Sequence, residues 1–147
     1  DVKDDELYKK IVHIISSENP KLCRRLKYIY EAQKRFYEMM NAWRAGDIEK
    51  VGKLFRADGI GLRDDYEISG TELESMCDIA RTVDGVFGER MLGGGDKGSA
   101  GAIADAAAVD DLKRAVDVGY PRSHPAFAQN YAVHTCDIVD GIKVFNL

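Results

Sequence analysis

The stretch Arg90-Met91-Leu92-Gly93-Gly94-Gly95-Asp96-Lys97-Gly98-Ser99-Ala100-Gly101 is the part of the chain best suited to chemistry. Three consecutive glycines are costly in backbone entropy. They make sense where the backbone must approach another group closely or adopt φ > 0. Successive N–H groups in such a loop can form an anion nest that cradles phosphate. Lys97 would add a positive charge and Ser99 a hydroxyl donor. The candidate phosphate-binding set is therefore Gly93, Gly94, Gly95, Lys97, Gly98 and Ser99. Asp96 works against it, because a carboxylate beside the nest repels a nucleotide. The spacing is not that of a P-loop, nor of a dinucleotide-binding turn that opens a helix. On residue type alone, a flexible hairpin is the commoner use of such a stretch.

Other constellations carry less. Asp64, Asp65 and Glu67 have the chemistry to bind a divalent cation, but no further carboxylate is tied to them by spacing. A solvated turn with helix-capping acids is the favoured reading. His124 and His134 lack zinc-ligand spacing. Cys23, Cys77 and Cys136 are odd in number and contain no C-x-x-C pair, which predicts reduced, mostly buried thiols. Lys21, Arg24, Arg25 and Lys27 form a basic cluster, with Arg63 and Arg90 adding to a positive field. A solvated helix face is its default reading. No catalytic residue and no metal ligand is assigned.

The elements that must hold the loop follow from periodicity. Leu7, Ile11 and Ile14 recur at helical spacing. Asn19-Pro20 marks a second helix start. Leu22, Leu26, Ile29, Phe36, Met40 and Trp43 then fall in a 4,3 rhythm interrupted only by Gln33. That is one apolar stripe on a helix of roughly 25 residues, and it is expected to be core. Asp47 caps a third helix, weakened toward Gly59 and Gly61. Ser69-x-x-Glu72 and Thr71-x-x-Glu74 are overlapping capping boxes before a fourth helix that ends near Thr82. Asp84-Gly85 is a turn, Val86–Leu92 a strand, 93–98 a loop, and Ser99–Ala104 an antiparallel second strand. Val109, Leu112, Ala115 and Val116 mark a fifth helix, and Pro121 and Pro125 an extended loop. Tyr131, Val133 and Thr135 alternate as a strand would. Asp140-Gly141 is a hairpin-type turn before a last strand at 142–145. Helices followed by β-β-α-β-β predict an α+β fold, with helices packed on one face of an antiparallel sheet.

The totals set bounds. At 147 residues the chain is expected to be a single domain, 1–147, with its own core. A net charge of −4 argues against broad nucleic-acid binding. No apolar run is long enough to span a bilayer, and the acidic start carries no signal-peptide pattern. A cytoplasmic location without membrane partners is expected.

Residues 90–98 resemble the third motif of the GHMP kinases in its galactokinase form, R-M-T-G-G-G-F-G-G-C. Arg90, Met91, Gly93, Gly94, Gly95 and Gly98 match it. Leu92, Asp96, Lys97 and Ser99 depart from it. Leu62-Arg63-Asp64-Asp65-Tyr66-Glu67-Ile68-Ser69 is similar to the L-R-D-D-Y-E-V-S stretch of the same branch and is the more specific block. Ala45-Gly46-Asp47 and Leu54-Phe55 also fit. The resemblance implies a ferredoxin-like arrangement for the fold. It implies the C-terminal domain of a two-domain sugar 1-kinase that uses ATP and Mg, with a small-molecule sugar as substrate. Tyr66 becomes a candidate on the sugar side of the cleft. The N-terminal loop P-x-x-x-G-L-S-S-S-A does not occur in this sequence. The expected partner is an N-terminal kinase domain, and the chain alone is expected to be inactive, with ATP and Mg belonging to the full-length enzyme. The alternative is a stand-alone regulatory or ligand-binding module that keeps the fold without kinase activity. Removing a partner domain should expose a cleft face and favour self-association.

Overall fold

The computed structural model describes residues 4–95 and 98–136. Asp4 starts α1 (Asp5–Ile15), its carboxylate accepting from the N–H groups of Glu6 and Leu7. Asn19 starts α2 (Pro20–Arg44), where Pro20 sits in the first turn and its missing N–H costs nothing. Asp47 accepts from Lys50 N–H to start α3 (Ile48–Asp64). α4 (Thr71–Arg81), β1 (Val86–Leu92), β2 (Ser99–Ala104) and α5 (Val109–Ser123) follow. β1 and β2 pair antiparallel, with Leu92 opposite Ser99 and an irregularity between Val86 and Gly88. The architecture is α+β, an antiparallel ladder packed against helices, as the element order predicts.

α3 and β1 meet backbone to backbone. A Cβ on Gly88 would lie 1.8 Å from the Gly52 carbonyl oxygen, and a Cβ on Gly52 would lie 2.3 Å from the Phe87 Cβ. Only glycine lets these elements come so close. Further along, Leu62, Leu73 and Met91 form a buried cluster, with Tyr28 and Ile68 packed on it. At the middle of β1, Glu89 is only 2% exposed. Arg56 of α3 contacts its carboxylate at 2.7 Å and Arg81 of α4 at 2.8 Å. One buried acid thus ties two helices to the strand.

Several sequence expectations are corrected. α3 does not weaken at Gly59 and Gly61 but runs on to Asp64. Those glycines are contact points: a Cβ on Gly59 would lie 2.6 Å from the Arg90 Cβ, and one on Gly61 2.7 Å from the Tyr28 ring. Neither capping box forms at α4, whose N-cap is Gly70 with no side-chain hydrogen bond. Pro121 lies inside α5 rather than in a loop, because the helix continues to Ser123 and closes with His124 N–H on the Tyr120 carbonyl. Residues 131–136 form no strand. Tyr131 turns instead onto α5, donating its hydroxyl to Asp117 at 2.9 Å and setting its ring 5.1 Å from Tyr120. The predicted turn at Asp140-Gly141 and the strand at 142–145 lie outside the described residues. The α2 stripe is not core. Leu22, Ile29, Phe36 and Trp43 are between 43% and 52% exposed, because α2 turns Tyr28 and Arg35 toward Asp58 of α3 and stacks Tyr30 on Tyr8 of α1. Of the cysteines only Cys77 is buried, and Cys136 is exposed. No described helix is long and apolar enough to cross a membrane.

Candidate functional site: the glycine loop and its mount

The loop joins β1 to β2, so its ends are fixed by the Leu92–Ser99 pair of the ladder. Its glycines divide into two kinds. Gly93 has φ +81°, and a Cβ on Gly93 or Gly94 would meet nothing within 4 Å among the described residues. Both are exposed. Gly95 is buried, has φ +106°, and a Cβ there would lie 2.1 Å from the Ile68 carbonyl oxygen. A Cβ on Gly98 would meet the Leu92 carbonyl oxygen at 3.0 Å. Among the described residues Gly93 and Gly94 therefore present open backbone, whereas Gly95 is required by packing and Gly98 sits in tight contact. Asp96 and Lys97 lie outside the described residues. Gly98 and Ser99 line a groove with Leu73, Tyr120, Phe127 and Asn130.

Ile68, the residue that receives Gly95, belongs to the 62–69 block. The sequence treats that block and the loop as separate motifs, and the structure brings them into contact. Leu62 to Asp64 finish α3, and the chain then turns. Glu67 has φ +58°, the positive value among described non-glycine residues. For a side chain with a Cβ this conformation is costly. It is held from α2: Lys21 Nζ lies 2.9 Å and Arg24 Nη2 2.5 Å from its carboxylate. Hydrogen bonds from Lys21 and then Arg24 pull the Glu67 carboxyl down to a pKa of about 2. Arg25 Nε donates to the Tyr66 carbonyl at 3.0 Å. The basic cluster is thus not a free solvated face, since three of its members hold the 66–67 turn. Glu67 is accordingly engaged by cations rather than grouped with Asp64 and Asp65 around a metal, and among the described residues no His, Cys, Asp and Glu cluster suits one.

Tyr66 is half-buried, its ring 5.3 Å from that of Tyr28 and 5.5 Å beneath the Arg25 guanidinium. Its side chain packs against α2, two residues from the point where Ile68 meets the loop. Arg90 and Arg63, read from the sequence as part of a positive field, are both engaged. Arg90 pairs with Asp58, which Arg35 also approaches at 3.4 Å. Arg63 reaches Glu74 at 3.5 Å and Asp78 at 3.3 Å. Tyr28 places its hydroxyl 3.4 Å from Asp58, and burial followed by that charge pushes its pKa up to about 12. Sequence reasoning missed Asp58, Glu67 and Glu89 as anchors. The adjacent charged residues Glu89 and Arg90 at the centre of β1 were the available signal for Glu89. Nothing local marked Asp58 or Glu67.

No protein-family model matches the chain. Curated relatives do. The galactokinase of Limosilactobacillus fermentum is 33% identical over 138 residues, which cover 94% of this chain and 34% of that protein. That of Ligilactobacillus salivarius is 33% identical over 144 residues, covering 96% and 35%. That of Chloroflexus aurantiacus is 37% identical over 101 residues, covering 69% and 26%. Among solved structures, Lactococcus lactis galactokinase complexed with galactose superposes with a TM-score of 0.76 at 28% identity, over 85% of this chain and 33% of that one. The chain spans about a third of the length of the curated relatives it matches. The likeness covers nearly the whole chain, and the chain belongs to the galactokinase-like GHMP sugar kinases as a domain of that family.

Proposed function

We propose that this chain is the C-terminal domain of a galactokinase-like, ATP-dependent sugar 1-kinase and contributes its glycine-rich loop to the phosphate side of the site. The reading rests on one observation above the others. Among the described residues Gly93 and Gly94 present backbone with open space around it, on a loop packed through Gly95 against Ile68. Open N–H groups on a fixed mount are what a phosphate nest requires. Gly93, Gly94, Gly95, Lys97, Gly98 and Ser99 form the loop in this proposal, and Tyr66 stands on the sugar side. ATP and Mg belong to the complete enzyme. The sugar and an N-terminal kinase domain are its partners, and the cytoplasm its location. Phosphoryl transfer depends on positioning and on charge stabilisation from several groups at once. One loop supplies too few of them, so the domain by itself is inactive.

The test is sugar 1-phosphate formation. The chain alone, given ATP, Mg and galactose, should yield none, and measurable product overturns the proposal. Joined to an N-terminal kinase half, it should phosphorylate a galactose-type sugar. Asp96 favours the second reading, a regulatory or ligand-binding module, because its charge opposes phosphate at the loop. A joined protein inactive on both galactose and uronic acids would support that reading instead.

A further inference from the structure

The α2 stripe fits a buried helix face by sequence, yet four of its six apolar members are exposed in the structure, with Leu26 and Met40 partly buried. Leu22 is 50% exposed, Ile29 49%, Phe36 52% and Trp43 43%. From Leu22 to Trp43 the stripe runs about 32 Å at 1.5 Å per residue. Beside it, α1 exposes Leu7 at 48% and Ile14 at 63%. Among the described residues, seven of the twelve exposed large apolar side chains lie on these two helices. A solvated helix face carries charged and polar residues instead. Exposed apolar surface gathered in this way marks an interaction site.

We infer that the α1–α2 face is the docking surface for the part of a galactokinase-length protein that lies outside this chain. The inference rests on the proposed function above and adds to it the face involved. Three observations favour this occupant. The relatives are about three times the length of the aligned stretch, so a body larger than this domain accompanies it in them. The stripe carries Phe36 and Trp43, with Tyr37 exposed beside Phe36, aromatic anchors of the kind that dominate interfaces. Paired coiled-coil seams prefer Leu, Ile and Val throughout, and the departure at Gln33, Phe36, Met40 and Trp43 disfavours a second copy of α2 as the occupant. The same helix holds Glu67 through Lys21 and Arg24, and so holds the mount of the glycine loop. A body docked on α2 therefore rests on the element that positions the loop.

The test uses a full-length chimaera in which this chain replaces the aligned stretch of the Limosilactobacillus fermentum galactokinase. Hydroxyl-radical footprinting reads side-chain exposure in the chimaera and in the chain alone. Labelling of Ile29, Phe36 and Trp43 should fall several-fold in the chimaera, while Val118 on α5 is unchanged. The double variant Ile29→Glu/Phe36→Glu should leave the melting temperature of the isolated chain nearly unchanged and lower that of the chimaera by several degrees. Unchanged labelling of the stripe overturns the inference. So does an equal response of chain and chimaera to the double variant. Self-association of the isolated chain that protects the stripe and is lost in the double variant assigns the face to a second copy, and also overturns it. Sugar phosphorylation by the chimaera is read separately. Activity with an unprotected stripe refutes this inference alone, and a protected stripe without activity refutes the kinase reading alone.

Discussion

Alanine substitution across Gly93, Gly94 and Gly95 separates the two uses of the glycine run. At Gly95 an added Cβ would lie 2.1 Å from the Ile68 carbonyl oxygen, more than 1 Å inside the 3.4 Å of ordinary contact. The near atom is backbone, so it cannot rotate away. Overpacking of this kind costs roughly 1–3 kcal/mol. Residence of an L-residue at positive φ adds roughly 1–2 kcal/mol. Gly95→Ala should therefore cost about 2–5 kcal/mol. Gly93→Ala meets no atoms of the described residues but keeps φ at +81°. Its strain of roughly 1–2 kcal/mol is partly offset by roughly 0.4–1 kcal/mol from a stiffer unfolded chain, which leaves about 1 kcal/mol. Gly94→Ala meets neither obstacle and should be neutral or slightly stabilising. Urea unfolding followed by circular dichroism and by the single tryptophan measures all three. Gly95→Ala costing less than about 1 kcal/mol refutes the packing argument. So does Gly94→Ala costing as much as Gly95→Ala. In a complete kinase the order should invert for function, with Gly94→Ala weakening ATP binding while the fold stays intact.

Two further predictions concern the anchors. Glu89→Gln keeps the shape of the side chain but leaves Arg56 and Arg81 without their shared carboxylate. Breaking a buried pair in this way should cost about 3 kcal/mol, measured as a shift in the urea midpoint, and a loss under about 1 kcal/mol contradicts the ion-triad reading. The Glu67 clamp has a pH signature whose sign is fixed by the lowered carboxyl. The folded value is about 2 against an ordinary 4.5, so the stabilisation is complete above about 4.5 and is lost as pH falls through about 2. Amide exchange at Ile68, compared between the parent chain and Glu67→Gln, should differ above that window and converge at its acid end. Equal exchange across the whole range removes the clamp.

Much of the element order was legible because local chemistry specifies it. Asn19, Asp47 and the Asp84-Gly85 turn act within a few residues, and α2, α3, α4, β1 and β2 lie where they indicate. The misplaced features have non-local causes. Gly59 and Gly61 read as helix breakers because their partners, Arg90 and Tyr28, are distant in sequence. Residues 131–136 alternate like a strand, yet Tyr131 packs on Tyr120 and Asp117. The α2 stripe has core periodicity, but periodicity marks a face that is apolar and does not say what covers it.

The candidate site divides in the same way. Residue types and spacing alone were enough to single out a glycine loop able to cradle an anion, and resemblance in residues 62–69 was enough to point to the family. Backbone freedom at Gly93 to Gly95 is a property of the residues themselves, so it can be read before folding. Which glycine is open and which is packed is not such a property. It depends on Ile68 arriving at Gly95, which depends on Glu67 being held at positive φ by Lys21 and Arg24 from a helix some 40 residues earlier. Contacts over that separation form only when α2, α3 and β1 pack together, and the tertiary structure alone decided them.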